Sequence, residues 1–97
     1  MRPLRYLTPA REEFLESVAH YELQSPGLGL GFIEEVEHAI VRLAAFPEHG
    51  SPHLAGTRRI VLGRFPFDVV YLAEPQEIVV VAVAHHKREP GYWRGRV

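Results

Sequence analysis

The residues best suited to chemistry stand together near the C-terminus of the 97-residue chain, in the segment AHHKREPGYWRGR at positions 84–96. It contains two adjacent histidines, His85 and His86, and the chain's only lysine and only tryptophan, Lys87 and Trp93. Imidazole and phenol groups can transfer protons, and cationic groups can stabilise a developing negative charge. The segment follows the most apolar run of the chain, so we expect a rigid strand to present it as a platform for a functional site.

Two other patterns are weaker candidates. His49 and His53 are four residues apart, but the Gly-Ser-Pro sequence between them excludes a helix, so we expect no zinc site there. The glycines of residues 27–31 could suggest a nucleotide-binding loop, but they follow a predicted helix and lack the spacing of that motif. The chain has no cysteine and therefore no disulfide or thiolate metal site. We expect neither a metal nor another cofactor.

Length and composition favour one folded domain over residues 1–97, because a chain of this size can bury a single core without disulfides. Residues 1–50 contain four arginines and eight glutamates, whereas residues 51–97 contain seven Lys/Arg and four Asp/Glu. A basic second half favours an anionic partner, although solvated surface charge explains it equally well. The sequence shows no secretion signal or membrane span, so we expect a cytoplasmic location.

Two amphipathic helices are predicted in the first half of the chain. Thr8 is the candidate N-cap of the first helix and Pro9 its first residue, and the Ser-Pro-Gly sequence of residues 25–27 ends it. The glutamates near its start, Glu13 among them, place negative charge at the positive helix N-terminus. The second helix is predicted from about residue 28 to the Phe-Pro pair at residues 46–47, where proline forbids continuation.

Strands are predicted where β-branched residues dominate, at residues 4–7, 57–62, 68–73 and 78–84. A loop at residues 48–56 and two hairpin turns, at residues 63–67 and 74–76, connect the last three strands and the second helix. The predicted fold is therefore α+β in the order β-α-α-β-β-β, a helical hairpin packed on a small, mainly antiparallel sheet. The last strand is apolar on both faces, so we expect it in the centre of the sheet.

Alternation along a strand limits which side chains can share a site. Adjacent residues point to opposite faces, so we expect His85 and His86 not to face one site together. The same holds for Arg58 and Arg59. At least one arginine of that pair is then expected to be ordinary solvated surface.

A pattern of segments spans nearly the whole chain: Thr8-Pro9 with the alanine and arginine after it, Ser25-Pro26, residues 32–47, Gly56-Thr57-Arg58-Arg59, RFPFDVVY at 64–71 and AVAHHKREPGYW at 82–93. In order and spacing it resembles the RelE/ParE superfamily of bacterial toxins from type II toxin–antitoxin modules, often called plasmid stabilisation proteins. The resemblance implies a compact α+β toxin, silenced by a cognate antitoxin that wraps the helices and the open sheet.

Two targets are compatible with the resemblance. ParE-like members bind DNA gyrase and trap it on cleaved DNA, whereas RelE-like members cut messenger RNA in the ribosomal A site. Docking among ribosomal RNA phosphates favours a strongly basic protein, but this chain has a pI near 6.6 and an acidic first helix. The sequence therefore favours a ParE-like gyrase inhibitor, with a ribosome-dependent endoribonuclease as the alternative. A third possibility is a module that has lost toxicity and only binds its antitoxin.

The resemblance also implies roles for particular residues. If the chain is a nuclease, the positions that match the family's catalytic ones are His86, Arg88 and Tyr92. Residues expected to contact the target are Arg58, Arg59, Arg64, His85, Lys87, Trp93, Arg94 and Arg96. Apolar residues of the two helices are expected to bind the antitoxin, namely Phe14, Val18, Tyr21, Ile33 and Ile40.

The aromatic pair Tyr92 and Trp93 has two competing interpretations. After Pro90 and Gly91 it can fold back as a lid on the core. Alternatively it forms a binding anchor with Arg94, because tryptophan, tyrosine and arginine dominate protein–protein hot spots.

Overall fold

A computed structural model describes residues 2–97, and its element order confirms the predicted one with a short strand added. The helices and strands are β1 (Leu4–Tyr6), α1 (Thr8–Gln24), α2 (Leu28–Ala45), β2 (Ser51–Pro52), β3 (Arg58–Val61), β4 (Phe67–Ala73) and β5 (Ile78–His85). Short 3-10 turns at Leu54–Gly56 and Arg94–Arg96 complete the secondary structure. None of the helices in the described part of the chain has the length and apolar character needed to cross a membrane.

The sheet has the strand order β1-β5-β4-β3-β2. Its β1 and β5 strands are parallel, and all other neighbours are antiparallel, which confirms a mainly antiparallel sheet. The β5 strand lies inside the sheet, between β1 and β4, as its continuous apolar sequence predicted. The C-terminal segment, residues 86–97, which we call the tail, leaves from the end of this buried strand.

The first helix starts one residue earlier than predicted. Its N-cap is Leu7, not Thr8, and the cap makes no side-chain hydrogen bond. Pro9 is consequently the second helical residue and still lies in the first turn, where an N–H has no intrahelical acceptor. No acidic residue lies in the first turn, so the proposed match between Glu13 and the helix N-terminus is wrong. Glu13 has a different role, described below.

The stretch predicted as a loop before β3 contains a strand of two residues. The Ser51–Pro52 segment pairs with Arg59 and Arg58 at the sheet edge. The hydroxyl of Tyr71, in β4, donates to the Pro47 carbonyl and accepts the Gly50 N–H, both at 2.8 Å. These two bonds hold the loop against the sheet. Two residues are too few to show a strand pattern in sequence.

The helical hairpin covers one face of the sheet. The buried residues of this helix-covered face are Ala10, Phe32, Val36, Ala39, Leu43, Leu62, Phe65, Phe67, Val69, Tyr71, Ile78, Val80 and Val83. Aromatic rings dominate its centre, where the Phe32 ring lies 4.9 Å from Phe67 and 5.2 Å from Phe65. This face is the main hydrophobic core.

The tail covers the other face of the sheet. A register shift between β4 and β5 leaves Val81 without a partner opposite it, so Val81 and Ala82 face the same side. Together with Val70 and Ala84 they form an apolar strip on which Trp93 lies, only 2% exposed. Trp93 therefore has the packing role, and its expected role as an exposed anchor for the target is wrong.

Candidate functional site

The tail and the ends of the central strands enclose an open groove of about 320 Å³, which we call the tail groove. Of the residues singled out from the sequence, the groove brings together Arg59, His85, His86, Arg88, Tyr92 and Trp93. It also contains Asp68 and His53, for which the sequence predicted no functional role.

Asp68 is the polar centre of the tail groove. It is 8% exposed and accepts hydrogen bonds from His86 Nε2 at 2.8 Å and from Arg59 Nη1 at 3.3 Å. An ionised carboxylate only accepts hydrogen bonds, so Nε2 of His86 carries a proton in this arrangement. The β4–β5 register places Asp68 opposite Ala84, within reach of the histidine that follows the strand. A carboxylate that orients an imidazole between cations is an arrangement able to assist proton transfer.

The two adjacent arginines of β3 lie on opposite faces, as strand alternation predicted. Arg59 reaches Asp68 in the tail groove. Arg58 instead donates to the Gly50 carbonyl at 2.8 Å, on the side of the loop before β3. Arg58 therefore does not contribute to the groove.

Arg64 also lies outside the tail groove, in the turn between β3 and β4. Its backbone N–H donates to Glu35 of α2 at 2.8 Å, and its guanidinium lies 5.4 Å from the Phe65 ring centre. Arg58 and Arg64, expected to contact the target together with Arg59, therefore do not line the tail groove with it. Both arginines lie on the helix-covered side of the sheet.

The phenol of Tyr92 is engaged in a network rather than free. Its hydroxyl donates to Glu13 Oε2 at 2.5 Å, and burial, together with this hydrogen bond, raises the pKa of the phenol. The guanidinium of Arg88 lies 3.9 Å from the centre of the Tyr92 ring, in cation–π contact. A phenol with a raised pKa remains protonated at neutral pH and is a poor general base.

The two histidines that end β5 face different surroundings, as strand alternation predicted. The His85 ring lies 4.9 Å from Phe67, on the helix-covered side, and burial lowers the pKa of this imidazole. His85 Nδ1 accepts the Lys87 N–H at 3.0 Å. His86 turns to Asp68 on the other face. Only His86 therefore has its ring bonded within the polar centre of the tail groove.

His53 lies against the inner side of the tail, with its ring 5.7 Å from that of Trp93. Burial, and next the positive charge of Arg59, lower the pKa of this imidazole. In residues 2–97, no three His, Cys, Asp or Glu side chains are placed to hold a metal ion.

The residues expected to bind an antitoxin point largely inward. Phe14, Val18, Tyr21 and Ile40 are half-buried and pack against the main core, so they are not a free apolar stripe, and Ile33 is half-buried too. The accessible apolar surface lies beside them, in a groove of about 380 Å³ that we call the hairpin groove. It is lined by Tyr6, Arg11, Phe14, Leu15, Glu37, Ile40 and Val41. Leu15 and Val41 are 51% and 59% exposed there.

Three residues of the site were missed by sequence reasoning. Asp68 is a single acid within an otherwise apolar strand, and that break in the pattern was a usable signal. Glu13 looked like any other glutamate of an acidic helix, and His53 like a loop residue. Their roles depend on contacts with Tyr92 and Trp93, far away in the sequence.

Comparisons with known proteins agree with one another. Residues 4–90 match the family model of the ParE toxin of the type II toxin–antitoxin system parDE. Among solved structures, the chain is similar to the chromosomal ParDE TA system from P. aeruginosa, with a TM-score of 0.75 and 19% identity over 88% of this chain and 96% of that chain. It is also similar to the toxin–antitoxin complex RelBE2 from Mycobacterium tuberculosis, with a TM-score of 0.60 and 23% identity over 87% and 96% of the two chains. No curated protein matches the sequence.

Proposed function

We propose, from the premise that this chain belongs to the ParE toxin family of type II toxin–antitoxin systems, that it arrests growth by binding DNA gyrase without a reaction of its own. The family model covers residues 4–90, which include Arg59, Asp68, His86 and Arg88 of the tail groove but end before Tyr92 and Trp93. A cognate antitoxin is the proposed neutralising partner.

The observation that carries the non-catalytic proposal is the state of Tyr92. A nuclease of this kind needs a free base and a free acid beside the scissile phosphate. Here the Tyr92 hydroxyl donates to Glu13, its pKa is raised, and its ring lies under the Arg88 guanidinium. The phenol supports the tail, which favours a binding surface over an acid–base site.

The proposed gyrase-binding surface is the exposed rim of the tail groove. Its cations are Arg59 and Arg88, and Val61, 57% exposed, adds an apolar contact. Lys87 and Arg94 are exposed on the tail beside these groove-lining residues. Arginine is one of the residue types enriched in binding hot spots. Arg96 is excluded because its side chain is only 20% exposed and is paired with Glu13, whereas the side chain of Arg59, paired with Asp68, is 42% exposed.

The test is a cleavage assay with purified gyrase, ATP and supercoiled plasmid, stopped with detergent and protease and scored for linear DNA. We expect toxin-dependent linear DNA. The Arg59→Gln variant should need about tenfold more toxin, since an arginine at a binding surface contributes more than about 1 kcal/mol. The matched control is Arg42→Gln, an exposed arginine of α2, which should behave as wild type. Unchanged supercoiling and no linear DNA at large toxin excess would contradict the proposal.

We place the antitoxin in the hairpin groove, because its accessible leucine and valine fit the apolar face of a partner helix. The Leu15→Glu variant should weaken antitoxin binding in calorimetry by about tenfold or more, since it puts a charge into an apolar contact. The control is Leu23→Glu, at a leucine that is 90% exposed outside this groove. Equal affinities of the two variants would place the antitoxin elsewhere.

The alternative function, a ribosome-dependent mRNA endoribonuclease, is favoured by one observation. The Asp68 carboxylate orients His86 beside Arg59 and Arg88, as a general base beside phosphate-binding cations would be arranged. Under this alternative, His86→Ala should abolish cleavage of messenger RNA on programmed ribosomes. It should leave antitoxin affinity unchanged. Retained toxicity in His86→Ala would remove this alternative.

A further inference from the structure

The β5 strand extends beyond the strand that pairs with it. The parallel ladder between β1 and β5 ends at Tyr6 and Val80, whereas β5 continues to His85. Beyond that point the Val83 N–H donates to Glu13 Oε1 at 3.1 Å, and the Val81 carbonyl accepts from Arg96 Nη1 at 3.1 Å. One residue of α1 and one of the tail thus satisfy backbone groups that a longer β1 would have paired.

Glu13 is the common acceptor at this place. Its two oxygens accept hydrogen bonds from the Val83 N–H, the Tyr92 hydroxyl and both terminal nitrogens of Arg96, the last at 2.9 and 3.0 Å. The side chains of Glu13 and Arg96 are only 15% and 20% exposed. Such a bidentate, charge-assisted pair fixes geometry as well as adding stability.

This network continues from Glu13 to the proposed binding surface. Tyr92, held by Glu13, supplies the ring on which the Arg88 guanidinium lies. Arg88 in turn lines the tail groove with Arg59 and His86. Gly91, with φ +75°, makes the turn that returns the tail to α1, and a Cβ at this position would lie 2.8 Å from Arg94 Nε.

We propose that Glu13 is a positioning residue for target binding. Its bonds to Tyr92 and Arg96, which we call the latch, hold the tail against α1 and thereby hold Arg88 at the rim of the tail groove. The link to a target rests on the proposed function, whereas the latch itself rests on the contacts above. Glu13 does not touch the target; it acts through Tyr92 and Arg88.

The experiment compares Glu13→Gln with Glu12→Gln, a substitution at the exposed neighbour on α1. Hydrogen exchange and trypsin cleavage after Arg94 report on the tail. We expect both to accelerate about tenfold or more in Glu13→Gln, because hydrogen bonds to a charged group are lost. Exchange within β4 and α2, and antitoxin affinity, should match wild type. The Glu12→Gln variant should show no change in any readout.

Growth arrest on induction without antitoxin, and gyrase cleavage, report on the target. We expect Glu13→Gln to raise the dose needed for both, as Arg88→Gln does. If Glu13 acts through Arg88, the double variant should be no weaker than Arg88→Gln alone, whereas independent effects would multiply. Should Glu13→Gln fail to fold, Tyr92→Phe removes only the hydroxyl and should give a smaller change in the same direction.

The outcomes separate the two proposals. Growth arrest by wild type without gyrase cleavage would reject the gyrase target and leave the latch to be judged by growth arrest. Wild-type tail exchange in Glu13→Gln, wild-type growth arrest by this variant, or effects that multiply in the double variant would each overturn the latch. A wild-type chain that does not arrest growth would overturn both.

Discussion

The two faces of the sheet are built differently. The helix-covered face buries apolar side chains from both helices and from β4 and β5 around Phe32 and Phe67. The tail-covered face has a smaller apolar strip under Trp93. Beside this strip lies Asp68, hydrogen-bonded to Arg59 and His86. Among residues 2–97, Asp68 is the one charged residue that is buried.

This difference indicates that the helix-covered face mainly provides stability, whereas the tail-covered face is where function is expected. Burying a polar group costs free energy unless it is hydrogen-bonded, so a face selected only for stability would stay apolar, as the helix-covered one does. The tail-covered face accepts the cost of Asp68 and places four arginines near it or along the tail. Function is therefore expected where polar groups are held in fixed positions by a core that lies mostly on the other side.

The largest expected effect tests whether the tail is part of the core. We expect Trp93→Ala and Phe32→Ala each to lower the free energy of unfolding by about 3–5 kcal/mol, because both remove a large buried aromatic ring. Urea denaturation followed by circular dichroism measures both. Equal losses would show that packing contributes equally to stability on the two faces, which would then differ in polarity.

The control for that comparison is Leu23→Ala, at a leucine 90% exposed on α1, which should change stability by less than about 0.5 kcal/mol. A loss below about 1 kcal/mol for Trp93→Ala would contradict the expectation, since core aromatic truncations cost several times more. The tail would then be a dispensable cover rather than core.

A smaller effect is expected from the polar centre of the tail-covered face. The Asp68→Asn variant keeps the shape of the side chain and removes its charge, so its bonds to Arg59 and His86 lose their ionic character. We expect a loss of about 1.5–3 kcal/mol, the usual contribution of hydrogen bonds to charged groups. Chemical denaturation beside Glu34→Gln, an exposed glutamate of α2, measures it. Greater stability of Asp68→Asn would contradict this expectation. It would show that the buried charge of Asp68 lowers the stability of the protein and is retained on the tail-covered face for function alone.

Sequence patterns predicted the helix-covered face well and the tail-covered face incompletely. Periodicity and proline positions gave both helices and the central β5 strand, because these elements bury continuous apolar stripes. The bulge at Val81 has no such signal, yet it turns two successive residues to the same face. The tail was recognised as functional, but its latch joins Glu13 to residues about 80 positions away, and no local pattern encodes that contact. The choice between a packing role and a binding role for the pair Tyr92 and Trp93 likewise depended on such distant contacts.

The smallest expected effect compares one histidine from each face. Burial lowers the pKa of His85, which lies against Phe67 on the helix-covered side, and that of His53, which lies against Trp93 under the tail. The unfolded chain therefore takes up protons at these positions before the folded chain does, as the pH falls through the ordinary histidine pKa of about 6.5. Stability is then lost between that pH and the lowered folded pKa.

Accordingly, His53→Gln and His85→Gln should each lose less stability than wild type between about pH 7.5 and pH 5.5, as measured by thermal melting in matched buffers. Because the two imidazole rings contact different aromatic side chains, Trp93 and Phe67, the double variant should show the sum of the two changes. A double variant that departs from that sum would mean that protonation on one face affects stability on the other. The two faces would then differ in how they pack but would not titrate independently.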